Sequence, residues 1–192
     1  MRLKLPLVLA SASPRRESLL RRILSDFEIA HANVSEAAVR GRSPEQEAVR
    51  LATAKAQRVF ERRPRSLVLG ADTLVCLGNQ VIGKPSDRED AKAILQRLSG
   101  REHSVITGVC LLWPEGKEHF AEITRVRFRA LSKNEIALYV ATGEPMDKAG
   151  AYAIQGGASG FVQRVDGDLD NIIGLPLNRL AAALRECELL AE

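Results

Sequence analysis

Aromatic residues are scarce in this 192-residue chain: one Trp, two Tyr and five Phe, 4% of positions. Surfaces that grip single-stranded nucleic acid interleave aromatic and basic side chains, and such a surface is poorly supplied here. Cysteine is scarce too. Cys76, Cys110 and Cys187 lie far apart in apolar neighbourhoods, with no CxxC spacing and no Cys/His cluster. They read as small buried hydrophobes in a reducing compartment rather than as zinc ligands or a disulfide framework. No stretch approaches the ~20 apolar residues of a membrane span. The amino terminus loosely imitates a secretion signal, with Arg2, Lys4 and Ala10-Ser11-Ala12. Its apolar run from Leu5 to Ala10 is shorter than the roughly 7 to 15 residues of such a signal, and Pro6 interrupts it. This segment is expected to be the first strand of a cytoplasmic protein. Repeats, low-complexity tracts and linkers are also lacking, so one domain over 1–192 is expected, large enough for a substantial core.

What is present is a modest positive charge, +4 with a pI near 9.2, which favours anionic partners such as nucleotides or nucleic acid. The shortage of aromatics makes nucleic acid the weaker of the two.

The run from Leu67 to Leu77 is apolar enough for a strand buried on both faces, yet Asp72 and Thr73 interrupt it. A bare carboxylate there is expensive to desolvate, so something must compensate: a divalent metal, a nearby cation, or a cleft open to water and substrate. Gly78-Asn79 reads as a two-residue hairpin turn that would bring Lys84 back opposite Thr73. A perturbed carboxylate beside a lysine is a signature of a functional site. A core strand whose Asp72 is satisfied by backbone amides is the plainer alternative.

Leu5 to Ala10 leads through Ser11-Ala12-Ser13-Pro14 into a helix with Ser13 as N-cap and Pro14 at its first position. Arg15 and Arg16 load the first turn with cations, where free backbone amides already present positive potential. Strand, serine-rich turn and cationic helix start together read as an anion receptor for phosphate, with two exposed arginines that merely solubilise the surface as the plainer alternative. A second helix should begin at Ser43-Pro44 and run to about Glu61, with Gln46 completing a capping box. Lys55 falls on its packed side beside Leu51, Ala52 and Val59, where a lysine either snorkels to the edge, the commoner outcome, or points into a cleft. Helices are further expected after Ser86-Asp87 and Ser132, and a last one opening at Pro176. A long hairpin joins Glu102–Trp113 to Phe120–Ala130 around Pro114-Glu115-Gly116-Lys117, and Arg125, Arg127 and Arg129 alternate with apolar residues on its half-exposed second arm. A strand over Phe161–Val165 should return through Ile172-Ile173. The glycine-rich run from Asp147 to Gly157 leaves little bulk against a ligand. Within it Gln155 could offer a donor and an acceptor together, matching a uracil or thymine edge, with an ordinary polar loop as the plainer alternative.

These pieces stand in a particular order: Ala10-Ser11-Ala12-Ser13-Pro14-Arg15-Arg16, Gly70-Ala71-Asp72-Thr73, Gly83-Lys84-Pro85, Leu98-Ser99-Gly100, Asp147-Lys148-Ala149-Gly150-Ala151-Tyr152, Ile154-Gln155-Gly156 and Gly174-Leu175-Pro176. Over almost its whole length the chain resembles the Maf family. The resemblance implies an α/β fold related to the inosine triphosphatases, an elongated mixed β-sheet flanked by helices with two lobes around a nucleotide cleft. It implies a cytoplasmic, homodimeric nucleoside triphosphate pyrophosphatase that uses a divalent cation such as magnesium or manganese, in a family linked to inhibition of septum formation. The Asp-Thr pair and the run to Gln155 are similar to the dTTP/UTP branch, whereas the 7-methyl-GTP branch has Asp-Gln. By the same resemblance Asp72 is the catalytic proton acceptor, and Arg15, Thr73 and Gln155 govern substrate choice. Lys84, Arg16 and Lys55 would contact phosphates. Where the family carries an acidic cluster this chain keeps Glu36 beside Val34 and Ser35, so Glu36 joins Asp72 as an implied metal ligand. Whether Asp72 serves as base or as metal ligand is left open by the residues. A nucleotide-sensing protein without turnover is the alternative function.

Overall fold

The computed structural model describes residues 1–34 and 41–191. The chain runs β1 (Leu7–Ala10), α1 (Pro14–Arg21), β2 (Glu28–Ile29), α2 (Pro44–Phe60), β3 (Leu67–Leu77), β4 (Gln80–Ile82), α3 (Arg88–Leu98), β5 (Glu102–Trp113), β6 (Gly116–Phe128) and α4 (Lys133–Ala141). Three short 3-10 turns follow at Glu144–Asp147, Ala149–Ala151 and Gly157–Phe161, then β7 (Val162–Asp166), α5 (Leu169–Ile173) and α6 (Leu177–Glu186). Among the described residues the strands form a seven-stranded sheet, β2-β1-β3-β5-β6-β7, with β4 paired to β3. β1 is parallel to β2 and β3, whereas β4 is antiparallel to β3 and β7 to β6, so the sheet is mixed as expected. The chain divides into two compact units, Met1–Asp72 with Thr107–Glu122 and Gly174–Glu192, and Thr73–Ile106 with Ile123–Ile173. No described helix is long and apolar enough to cross a membrane.

In the first unit the local signals act as read. Ser13 caps α1 by accepting from the Arg16 amide, and Ser43 caps α2 by accepting from the Gln46 amide. Gln46 reaches one residue further back than a capping box requires, its Oε1 accepting from the Arg42 amide at 3.3 Å. On α2, Ala48, Ala52 and Ala56 recur every four residues and are 0% exposed, a stripe of small side chains along one helix face. Opposite them lie Gly70 of β3 and Gly108 of β5. A Cβ on Gly70 would stand 2.2 Å from the Ala52 carbonyl oxygen, and one on Gly108 2.2 Å from the Ala48 carbonyl carbon. Glycine at both positions lets the helix backbone settle against the sheet, an approach no side chain would allow.

The second unit closes around Phe128, wholly buried, whose ring meets His103, Tyr152 and Phe161 edge-on at 4.9, 4.9 and 6.0 Å between centroids. His103 Nε2 lies 2.8 Å from the Tyr152 hydroxyl, and burial pushes the imidazole pKa down to about 4. Ser132 and Glu135 form the expected capping box at the start of α4. Two elements differ from expectation. β6 begins at Gly116, so the hairpin turns on Pro114-Glu115 alone. Ile172 and Ile173 belong to helix α5 rather than to a return strand. Asp168 Oδ1 accepts the Asp170 amide at 2.8 Å, and buried Asn171 donates to the Val105 carbonyl and Thr124 Oγ1, both at 3.0 Å. These side-chain bonds hold the backbone in a turn that β-branched residues would not choose by themselves.

Candidate active site

Asp72 sits in mid-strand on β3 at 6% exposure. Its compensation comes from a cation: Lys55 Nζ lies 2.5 Å from Asp72 Oδ1, with the two side chains 14% and 9% exposed. Lys55 therefore does not snorkel to the edge of α2. The glycine-lined approach of α2 to the sheet brings its ammonium onto the carboxylate, where two buried opposite charges offset each other's desolvation.

The register between β1 and β3 pairs Ala10 with Gly70. The turn leaving β1 therefore runs at the level of Asp72, at the carboxyl end of parallel strands, where open α/β sheets hold their ligands. In that turn Ser11 is buried, and its Oγ accepts from the Ser13 amide at 3.1 Å and from Arg16 Nη1 at 3.4 Å. Arg16 Nε donates to the Gly174 carbonyl at 2.9 Å. Its guanidinium thus ties the start of α1 to the turn before α6, a role in the fold that its sequence position did not disclose. Arg15, one residue earlier, is exposed. Nothing in the sequence sets Ser11 apart from the rest of the turn, but its burial makes it the hydroxyl that seats Arg16.

In the second unit Thr73, next after Asp72 within β3, is half-buried. The two-residue turn at Gly78-Asn79 forms as expected, with Leu77 paired to Gln80 and Val75 to Ile82. Continued, that register would set Lys84 opposite Thr73, but β4 stops at Ile82 because the Gly83 carbonyl accepts from the Gly150 amide at 3.0 Å. Lys84 is exposed just beyond, and Gln155 is exposed between two 3-10 turns. Glu36 lies outside the described residues.

The described residues contain no group of three or more His, Cys, Asp or Glu side chains able to hold a metal ion. A hard divalent cation that completes its shell with water and substrate phosphates needs only one or two carboxylates, and Asp72 fits that requirement.

The fold is that of the Ham1 proteins. The chain superposes on the Ham1 protein of Staphylococcus aureus with a TM-score of 0.52 at 16% identity, covering 94% of this chain and 98% of that one. A HAM1 protein from Coxiella burnetii gives 0.50 at 16% identity, with 95% and 99% covered. Residues 6–187 match the Maf-like protein family, and the chain belongs to it. Among its relatives, a protein of Geobacillus sp. is 49% identical over 173 residues, covering 90% of this chain and 93% of that protein. One from Aquifex aeolicus is 47% identical over 184 residues, with 96% of each covered. Both carry the name dTTP/UTP pyrophosphatase.

Proposed function

We propose that the protein is a nucleoside triphosphate pyrophosphatase acting on dTTP and UTP, with a single Maf-like domain over 1–192. The observation that carries this reading is the buried Asp72–Lys55 pair at the carboxyl end of the parallel strands, inside the Gly70-Ala71-Asp72-Thr73 motif. Asp72 takes the proton of a water molecule as its oxygen bonds to the α-phosphorus. The bond from that phosphorus to the bridging oxygen breaks, and pyrophosphate leaves with the electron pair. Lys55 holds the carboxylate in place, and through it acts on the reacting water. Arg15, Arg16 and Lys84 are assigned to the phosphates, where forked guanidinium and point-charge ammonium groups stabilise the charge gathering on the leaving group. Thr73 and Gln155 are assigned to choosing the pyrimidine.

A divalent cation, magnesium or manganese, would be held by Asp72, with Glu36 as a second ligand, and when bound would polarise phosphate oxygens and acidify water. The three free cysteines suit a reducing cytoplasm, the few aromatics speak against a nucleic-acid partner, and the family resemblance supports a homodimer. Incubating the purified protein with a nucleotide panel and either metal tests the assignment by pyrophosphate release. UTP and dTTP should be turned over fastest. Preference for 7-methyl-GTP or inosine triphosphate would reject the substrate, and binding without release would favour a nucleotide sensor.

A further inference from the structure

Gln155 is exposed, yet the backbone on both sides of it is held by one pair of side chains. The Tyr139 hydroxyl donates to Glu144 Oε1 at 2.8 Å and accepts from the Ala153 amide at 3.2 Å. Glu144 Oε2 accepts from the Gly157 amide at 3.1 Å. Between these fixed points lies Gly156, where a Cβ would stand 2.0 Å from Glu144 Oε1. The carboxylate thus occupies the space a side chain would need. The pair is itself anchored. Tyr139 is 5% exposed and meets the Phe161 ring edge-on at 5.2 Å, while Glu144 donates its amide to Thr142 Oγ1 and accepts Lys148 Nζ on its carbonyl. Burial, with the Glu144 carboxylate adding to it, pushes the Tyr139 phenol up, so it stays a proton donor at working pH.

We infer that Tyr139 and Glu144 are positioning residues for Gln155, a clamp on Ala153 and Gly157 that aims the carboxamide at the pyrimidine edge and so sets substrate selection. This rests on the reading of Gln155 given above. A side chain that reads a base by hydrogen bonds must be held to within about 0.5 Å, and half-buried flanks would not hold it unaided. Cytosine reverses donor and acceptor at positions 3 and 4 relative to uracil, so UTP against CTP is the discriminating pair.

The test compares wild type, Gln155→Ala, Tyr139→Phe, Glu144→Gln and the Gln155→Ala/Tyr139→Phe double variant, measuring kcat and KM for both nucleotides and Tm. Gln155→Ala should cut the UTP over CTP ratio of kcat/KM about tenfold. Tyr139→Phe should cut it about three- to tenfold, chiefly by raising KM for UTP. The double variant should lose no more than Gln155→Ala alone, because both changes remove one interaction. Glu144→Gln keeps the acceptor for Tyr139 but loses the one for Gly157, and should fall between wild type and Tyr139→Phe. If Gln155→Ala collapses the ratio while Tyr139→Phe and Glu144→Gln leave it unchanged, the clamp is refuted and the reading of Gln155 stands. If Gln155→Ala itself leaves the ratio unchanged, that reading fails and the inference falls with it. An equal loss of kcat for both nucleotides together with a lower Tm would reduce the pair to a structural role and overturn the proposal.

Discussion

Replacing Lys55 by methionine strips the ammonium from a carboxylate that is only 6% exposed. Breaking a buried ion pair by removing one partner costs ~3–5 kcal/mol. The residual side-chain exposures of 14% and 9% put the expected loss at the lower end, about 3 kcal/mol. For a chain of this size that is roughly 6–12 °C of Tm, and urea unfolding reads it as a lowered midpoint at constant slope. Pairing Lys55→Met with Asp72→Leu removes both charges and should restore most of the stability without restoring turnover, since an apolar pair of similar volume costs little. A loss below about 1 kcal/mol would refute Lys55 as a charge that lets Asp72 sit in this strand.

Asp72→Asn should lower pyrophosphate release by about 10³-fold or more while circular dichroism stays unchanged, and turnover near wild type would remove Asp72 from the chemistry. His103 is held neutral, with a pKa of about 4 in the fold against ~6.5 unfolded. The unfolded state takes up the proton first, so its contribution is full above pH 6.5 and is lost as pH falls towards 4, by roughly 3 kcal/mol. Urea midpoints across that range should show the decline in wild type and a flatter profile in His103→Gln. Gly70→Ala places a Cβ 2.2 Å from the Ala52 carbonyl oxygen and should cost about 3 kcal/mol or more. A wild-type Tm in that variant would show that α2 does not rest on β3 as described.

The elements governed by nearby residues were legible. Ser13-Pro14, Ser43-Pro44 and Asp87 start α1, α2 and α3, and the Ser132 capping box starts α4. The bounds Leu67–Leu77 and the turn after them follow from an apolar run ended by Gly78-Asn79. Such signals act within about four residues of one another along the chain. Lys55 was a different case. Its spacing put it on the packed stripe of α2 but left two fates open, and the choice depended on glycines of two strands that admit the helix backbone. Lys84 followed the hairpin register only as far as Ile82, because Gly150, far along the chain, takes the Gly83 carbonyl. Ile172-Ile173 carries the composition of a strand, yet Asp168, Thr124 and Asn171 turn it into a helix.

By itself, then, the order of residues determined where helices and strands begin, that an aspartate interrupts an apolar strand, and which motifs recur in which sequence. Only the tertiary structure decided that α2 supplies the compensating cation, that Arg16 braces the turn at Gly174, and that one tyrosine-glutamate pair holds both flanks of Gln155. The reason is physical. Caps and turns are short-range hydrogen-bonding choices written in adjacent side chains. Burying a charge or pinning a distant loop requires partners that meet only once the sheet has formed.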